Sequence, residues 1–290
     1  MSEYEFEVSF ETPRHLVNYF RFIGIISILL NTFGIYLVLF KSSKIDNFRF
    51  FMLNFQTACT VTDFQLTYLM QPIPIFSIAG CSVGLWTTVF DVWVHHQMNT
   101  TFFLMFYQVE SLVLCFFRKH QAIAEMLKMH VLSGHVTWTA VILMVLVPAA
   151  MSTGFYFTAT DRHNQMDYVN EEYPQYAAGF RSLSNFVVYR FSPFYGALMV
   201  CWMVFGIVGA LLFTTIITDI FRIMAILRLK ISAATFSRHQ AAVRSLMAQF
   251  AASSCCLVPP ILYVISVVTE MRRQQGERQR PRRDRDAHGI

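Results

Sequence analysis

Charge is scarce in this chain. Asp, Glu, Lys and Arg make up 14 % of its 290 residues, against 55 % apolar ones, a balance that excludes an ordinary soluble domain of this length. A basic start is also lacking. Glu3, Glu5, Glu7 and Glu11 crowd the N-terminus, where a cleavable secretory signal needs positive charge, so the first apolar run is expected to act as its own insertion signal. Cysteine is sparse outside the apolar runs. Of Cys59, Cys81, Cys115, Cys201, Cys255 and Cys256, only Cys81 falls in a loop, and the long fourth loop, 161–190, has none. That excludes a disulfide tying the third helix to this loop and leaves the other cysteines as small buried hydrophobes. No paired C-x-x-C, glycine-rich phosphate loop, activated nucleophile or pair of catalytic carboxylates stands out, so no enzyme, cofactor or metal is expected.

Six long apolar stretches fill the chain. Crossing about 30 Å of hydrocarbon takes roughly 20 apolar residues in a helix. The runs 22–40, 136–160, 191–218 and 245–269 carry no charge; 50–71 carries only Asp63, and 83–109 only Asp91, with apolar character continuing past Glu110 to Phe117. Barrel strands alternate over roughly ten residues, and these runs do not alternate. The expectation is an all-α polytopic membrane bundle with spans near 19–40, 50–71, 84–117, 136–160, 191–221 and 243–269. An N-terminal tail (1–18) precedes it and a disordered Arg-rich tail (270–290) follows it, with no seventh apolar run between.

Basic residues of short loops favour the cytoplasmic side. Lys41, Lys44 and Arg49 mark the first loop, Arg118, Lys119 and Lys128 the third, and Arg222, Arg228, Lys230, Arg238 and Arg244 the fifth; the second loop, 72–82, has none. The N-terminus and loops 2 and 4 are therefore expected outside. Six spans would then return the tail to the outside, with Arg272, Arg273, Arg278, Arg280, Arg282, Arg283 and Arg285 resisting translocation. A seventh helix would remove that conflict. Glu277, Asp284 and Asp286 interrupt the arginine run, which argues against nucleic acid as a partner.

Charge inside the bilayer costs roughly 2.5 kcal/mol or more and needs a partner or a task. Asp63 sits mid-span in the second helix. Asp91, His95, His96 and Asn99 form a polar stripe at the outer end of the third, with Asp91 and His95 four residues apart and able to pair. The stripe reads either as a ligand pocket between helices 2, 3, 5 and 6 or as a packing network. Glu110 lies about 12 Å along the axis from Arg118, too far to pair with it, so it is expected to find another partner in an intramembrane network with Asp63. Arg118 and Lys119 mark the cytoplasmic boundary. The His95-His96 pair and the His130 to His135 spacing are faintly similar to the boxes of membrane di-iron oxygenases, but a third box is lacking and iron would be under-ligated.

Pro148 falls in the fourth span and Pro259-Pro260 in the sixth. The latter reads as a lever for opening the cytoplasmic face or as a static bend. Across 218–249, Ile223, Ile226, Leu227 and Ile231 recur at helical spacing among Arg222, Arg228 and Lys230. The fifth helix is thus expected to extend into the cytoplasm, either docking a partner or resting on the anionic leaflet.

The run Leu69-Met70-Gln71-Pro72-Ile73-Pro74-Ile75-Phe76-Ser77-Ile78-Ala79-Gly80 resembles the nematode serpentine chemoreceptors of class I and their class H relatives. Glu110-Ser111 followed by Phe117-Arg118-Lys119-His120, and Arg244-Ser245-Leu246 with Gln249 and Pro259-Pro260, are similar to that family's third-helix end and sixth helix. The resemblance covers roughly residues 15–268. It implies a rhodopsin-like seven-helix architecture, here with the seventh helix missing. It also implies a G-protein-coupled receptor in the plasma membrane of sensory cilia, which binds a small odorant-like cue and activates a heterotrimeric G protein. On that reading Asp91, His95, His96 and Asn99 line the pocket, and Arg118, Lys119, Arg228 and Lys230 face the G protein. The rival expectation is a non-signalling membrane protein, either a truncated or decayed receptor or a channel or transporter component.

Overall fold

The computed structural model describes residues 10–41, 48–76, 78–190, 192–237, 239–248 and 251. Helix α1 (Arg14–Tyr36) runs on through a π turn, Leu37–Lys41. Helix α2 (Phe48–Phe64) ends in another, Gln65–Met70. After it come β1 (Pro72–Phe76), β2 (Ala79–Ser82), the short α3 (Leu85–Thr88) and the long α4 (Val94–Leu127). The chain continues through α5 (Gly134–Tyr156), α6 (Gln165–Glu172), α7 (Ala177–Arg181), β3 (Phe186–Val188) and α8 (Pro193–Leu227). Residues 233–237 and 239–248 are helical as well. Of the sixth expected span only this beginning is described; Pro259, Pro260, Cys255, Cys256 and the tail 270–290 lie outside the described residues.

The protein is a helical membrane bundle. Among the described residues four helical stretches are long and apolar enough to cross a bilayer, namely Arg14–Phe40, Val94–Leu127, Gly134–Tyr156 and Pro193–Leu227. The second expected span is not one of them, because it carries Asn54, Gln56 and Asp63 on α2 and Gln65 on the π turn after it, each hydrogen-bonded to another helix. The outward faces are apolar: Leu30, Leu146, Leu211 and Trp138 are all more than half exposed, as hydrocarbon requires and water would penalise. Helix α4 is the axis of the bundle, packing on α2, α5 and α8.

Two apolar clusters bracket the bundle. One, at the sheet end, gathers Met70, Val94, Phe155, Phe180, Val187 and Tyr189. The other, at the opposite end, gathers Phe55, Phe116, Ile123, Ile220, Leu227 and Leu246.

Two features depart from the sequence expectation. The loops assigned to one side build a three-stranded antiparallel sheet in the order β1-β2-β3, with Ile73 opposite Cys81 and Gly80 opposite Val187. Pro72 and Pro74 fit there because β1 is an edge strand, where a missing N–H breaks no ladder. Gln165 stitches α6 onto the sheet, its side-chain oxygen accepting from Val188 N at 2.8 Å. The third span is also not continuous from residue 84. Its start is a separate turn, α3, and the chain then breaks at Asp91, whose φ of 46° lies in the left-handed region. Helix α4 begins only at Val94, where Asn185 accepts the Val94 N–H at 3.1 Å.

Cys81 is buried in β2, and burial pushes its thiol up to about 11. Gly84 lets the turn into α3 pass over the end of α2, where Gly84 N donates to Met70 O at 2.9 Å. A Cβ there would stand 2.3 Å from the Leu69 carbonyl oxygen. Gly84→Ala is expected to cost about 1–3 kcal/mol through this overlap, read as a lower melting temperature of the purified protein with its helical content kept.

Candidate functional site

Three polar sites lie along the bundle. In the middle, Asp63 on α2 accepts hydrogen bonds from Ser27 and, at 2.8 Å, from Asn31, both on α1. Asn31 in turn accepts from Gln56 Nε2 at 2.6 Å. The close approach is helped by Gly24 and Gly34, where a Cβ would stand 2.5 Å from Tyr68 and 3.0 Å from the Gln56 side chain. Glu110 does not join this network, and no hydrogen bond to it is found among the described residues. It lies on the half-buried side of α4, while its neighbour Ser111 turns inward and takes a hydrogen bond from Asn54 at 3.0 Å. Asn54 also accepts from Tyr107 at 2.8 Å.

At the sheet end the expected stripe is dispersed. Asp91 is in the loop before α4, exposed, and paired with Arg162 at 2.9 Å. It cannot pair with His95, because the left-handed break turns it away from the helix face that the four-residue spacing assumed. His95 is buried. Its Nε2 lies 3.1 Å from the Tyr156 carbonyl and its Nδ1 3.2 Å from the Tyr189 hydroxyl. A carbonyl only accepts, so Nε2 carries the proton and Nδ1 accepts from Tyr189. The ring thus joins α4, α5 and the segment after β3. His96 is exposed and stacks on Tyr156 at 5.8 Å, and Asn99 accepts from Ser152 on α5 at 2.9 Å.

Below His95 lies an aromatic box that sequence reasoning missed. Phe102 meets Phe155 at 4.7 Å and Trp202 at 4.9 Å, and Phe106 meets Trp202 at 5.2 Å. The Trp202 indole N–H is buried there, with no hydrogen-bond partner among the described residues. A tryptophan in the middle of an apolar span was the available signal, since its N–H must be satisfied or left for a ligand.

At the opposite end, His120 Nε2 meets Asp219 at 2.6 Å and His130 Nδ1 meets the same carboxylate oxygen at 3.0 Å. Gln121 accepts from Leu132 N at 2.8 Å, so its amide N–H donates to His120 Nδ1 at 2.9 Å. Nε2 of His120 therefore donates to Asp219. The cluster ties α4 to α8 and folds the α4–α5 connection, with Lys128 and His130 in the left-handed region, against both. Asp219 was overlooked because it lies one residue beyond the uncharged run. No group of three metal-binding side chains occurs among the described residues.

Of the four expected cationic contacts, Arg228 and Lys230 are exposed just beyond α8. Arg228 lines a groove of about 330 Å³ with Phe221, Met224, Phe236 and Val243. Lys119 is buried and Arg118 half-buried, both against α2.

A family model described as serpentine type 7TM GPCR chemoreceptor Sri matches residues 6–279, in agreement with the resemblance carried by Gln71-Pro72-Ile73-Pro74. No curated protein gives a match.

Asp63→Ala is expected to strand the Ser27 and Asn31 donors at a cost of about 1–3 kcal/mol. The check is the melting temperature of the purified variant, with Asn31→Ala partly reproducing the loss and the double variant falling short of the sum.

Proposed function

Because the chain belongs to the serpentine-type 7TM GPCR chemoreceptor family Sri, we propose that it detects a small external cue and signals to a heterotrimeric G protein. The sheet end is the outer face on this reading, with the N-terminus outside, and the basic loops at the other end are cytoplasmic. The cell surface in question is the plasma membrane of a sensory cilium.

The observation that carries the reading is the aromatic box under His95, with its one unspent donor. Aromatic walls and a single buried N–H suit a small apolar molecule bearing one hydrogen-bond acceptor. His95 roofs the box, its ring 5.2 Å from Phe155. His96 and Asn99 hold the α4–α5 flank, and the Asp91–Arg162 pair lies at the rim.

Signal output is a population shift between two packings. In the packing described, the Asp219 carboxylate keeps α4 and α8 together and holds the α4–α5 connection in place. A cue that binds better when α8 has moved favours the other packing and reshapes the groove beside Arg228, with Lys230 beyond it. This groove is the surface we assign to the G protein.

Two substitutions test the two ends. Trp202→Phe keeps an aromatic ring and removes the N–H; it should raise the half-maximal cue concentration about tenfold at unchanged surface level in a cell-based response assay. Asp219→Asn should raise cue-independent signalling in the same assay. An unchanged dose response in the first, with normal expression, counts against the box; unchanged basal activity in the second counts against the tie.

A further inference from the structure

We propose that the cue is a small amphiphilic amine, whose body fills the aromatic box and whose ammonium pairs with the Glu110 carboxylate one helical turn below. The inference rests on the box being the cue site and adds the chemical class of what enters it. Phe102, Phe106 and Glu110 follow one another at four-residue intervals on α4, so they stand in one row on that helix. Phe106 closes the box against Trp202 and Phe205 of α8, at 5.2 and 6.4 Å between ring centres. Glu110 comes next in the row, about 6 Å further along the axis.

Two observations single out this depth. The first is the carboxylate. Glu110 is half-buried midway along α4, and neither a hydrogen bond nor an ion pair reaches it among the described residues. Asp63 and Asp219, by contrast, each accept from two partners. A charge inside the bilayer is costly until something pairs with it.

The second is room. Helices α4 and α8 run in step: Phe106 meets Phe205, Phe116 meets Phe213 at 4.8 Å, and His120 meets Asp219 at 2.6 Å. Between the first two of these contacts, Gly209 comes level with Glu110. It lies seven residues after Trp202 and four before Phe213, on the face of α8 that carries both. A Cβ on Gly209 would meet nothing within 4 Å among the described residues. Rings fill the helix pair above and below this depth, and the pair is open beside the carboxylate.

The chemistry of the occupant follows from these groups. Phenylalanine and tryptophan rings attract a cation through their faces, and a carboxylate accepts a strong, charge-assisted hydrogen bond from an ammonium. Apolar walls do not suit a freely hydrated ion, so the charge must ride on an apolar body. An acceptor at the other end of that body takes up the Trp202 N–H. A carboxylic acid would meet Glu110 as a like charge, and a neutral molecule would leave Glu110 unpaired.

The test uses the full chain in phosphatidylcholine nanodiscs and a matched panel of probes. These are 4-methoxyphenyl amines with ethyl, propyl and butyl chains, and the alcohols and carboxylic acids of the same skeletons. Dissociation constants are measured by surface plasmon resonance, with empty nanodiscs as the blank for partitioning into lipid. At least one amine should bind roughly tenfold more tightly than its alcohol, and the acids should bind most weakly. Glu110→Gln should bring the amine to the level of the alcohol and leave the alcohol unchanged. Gly209→Leu, which fills the open space, should also remove the preference, and Trp202→Phe should weaken amine and alcohol alike. Ligand-free Glu110→Gln should melt no lower than the parent, because no bond within the protein is lost. Alcohols that match the amines, or a preference that survives either of the first two substitutions, overturn the amine and leave the box standing. Binding by no member of the panel overturns the box and this inference with it. A marked fall in the melting temperature of ligand-free Glu110→Gln, or its failure to fold, assigns the carboxylate to the fold and overturns the pairing.

Discussion

Apolar faces gain nothing from meeting one another when the solvent is itself hydrocarbon, so the helices of this bundle are fixed where polar groups must find partners. Among the described residues, four such ties run down the structure beside those of His95 and Gln65. Asp63, Ser27, Asn31 and Gln56 join α1 to α2; Asn54 with Ser111 and Tyr107 joins α2 to α4; Asn99 with Ser152 joins α4 to α5; and His120 with Asp219 joins α4 to α8. Helix α4 takes part in three of them. The same demand explains the polarity of α2 and the π turn after it, whose Asn54, Gln56, Asp63 and Gln65 turn inward onto α1 and α4, and the use of Gly24 and Gly34 on α1, where the backbone comes close enough for those bonds to form.

This constraint also separates groups that hold the fold from groups available for chemistry. His95 has both ring nitrogens engaged and a single tautomer imposed on it. It positions a wall rather than offering a contact. Trp202 has a donor that no acceptor takes up among the described residues. Asp219 answers two imidazoles at once, one from the body of α4 and one from the connection that follows it, so any movement between α4 and α8 must first part that junction.

The long apolar runs were legible because span length is set by the bilayer and by little else. Asp63 stood out in the sequence because a lone carboxylate in such a run has few alternatives. Its partners did not, since Ser27 and Asn31 are unremarkable residues until α1 is laid against α2. Asp91 misled because hydropathy runs straight through the break between Thr88 and Val94, and only the backbone shows that helical spacing does not apply there. The sheet was missed because its strands are three to five residues long, and one of them contains two prolines. The His120–Asp219 tie joins residues 99 apart in the chain, a distance over which no local pattern speaks.

The prolines of β1 have a consequence for neighbouring molecules. An edge strand facing water is a template on which a second chain can add its own strand. The sheet has two edges: on β3 the Val188 N–H is taken by Gln165 of α6, and on β1 Pro72 and Pro74 withhold two of the N–H donors that such an addition would need. The Gln-Pro-x-Pro run thus blunts the sheet toward strand addition by another copy, a useful property for receptors packed side by side in a crowded membrane.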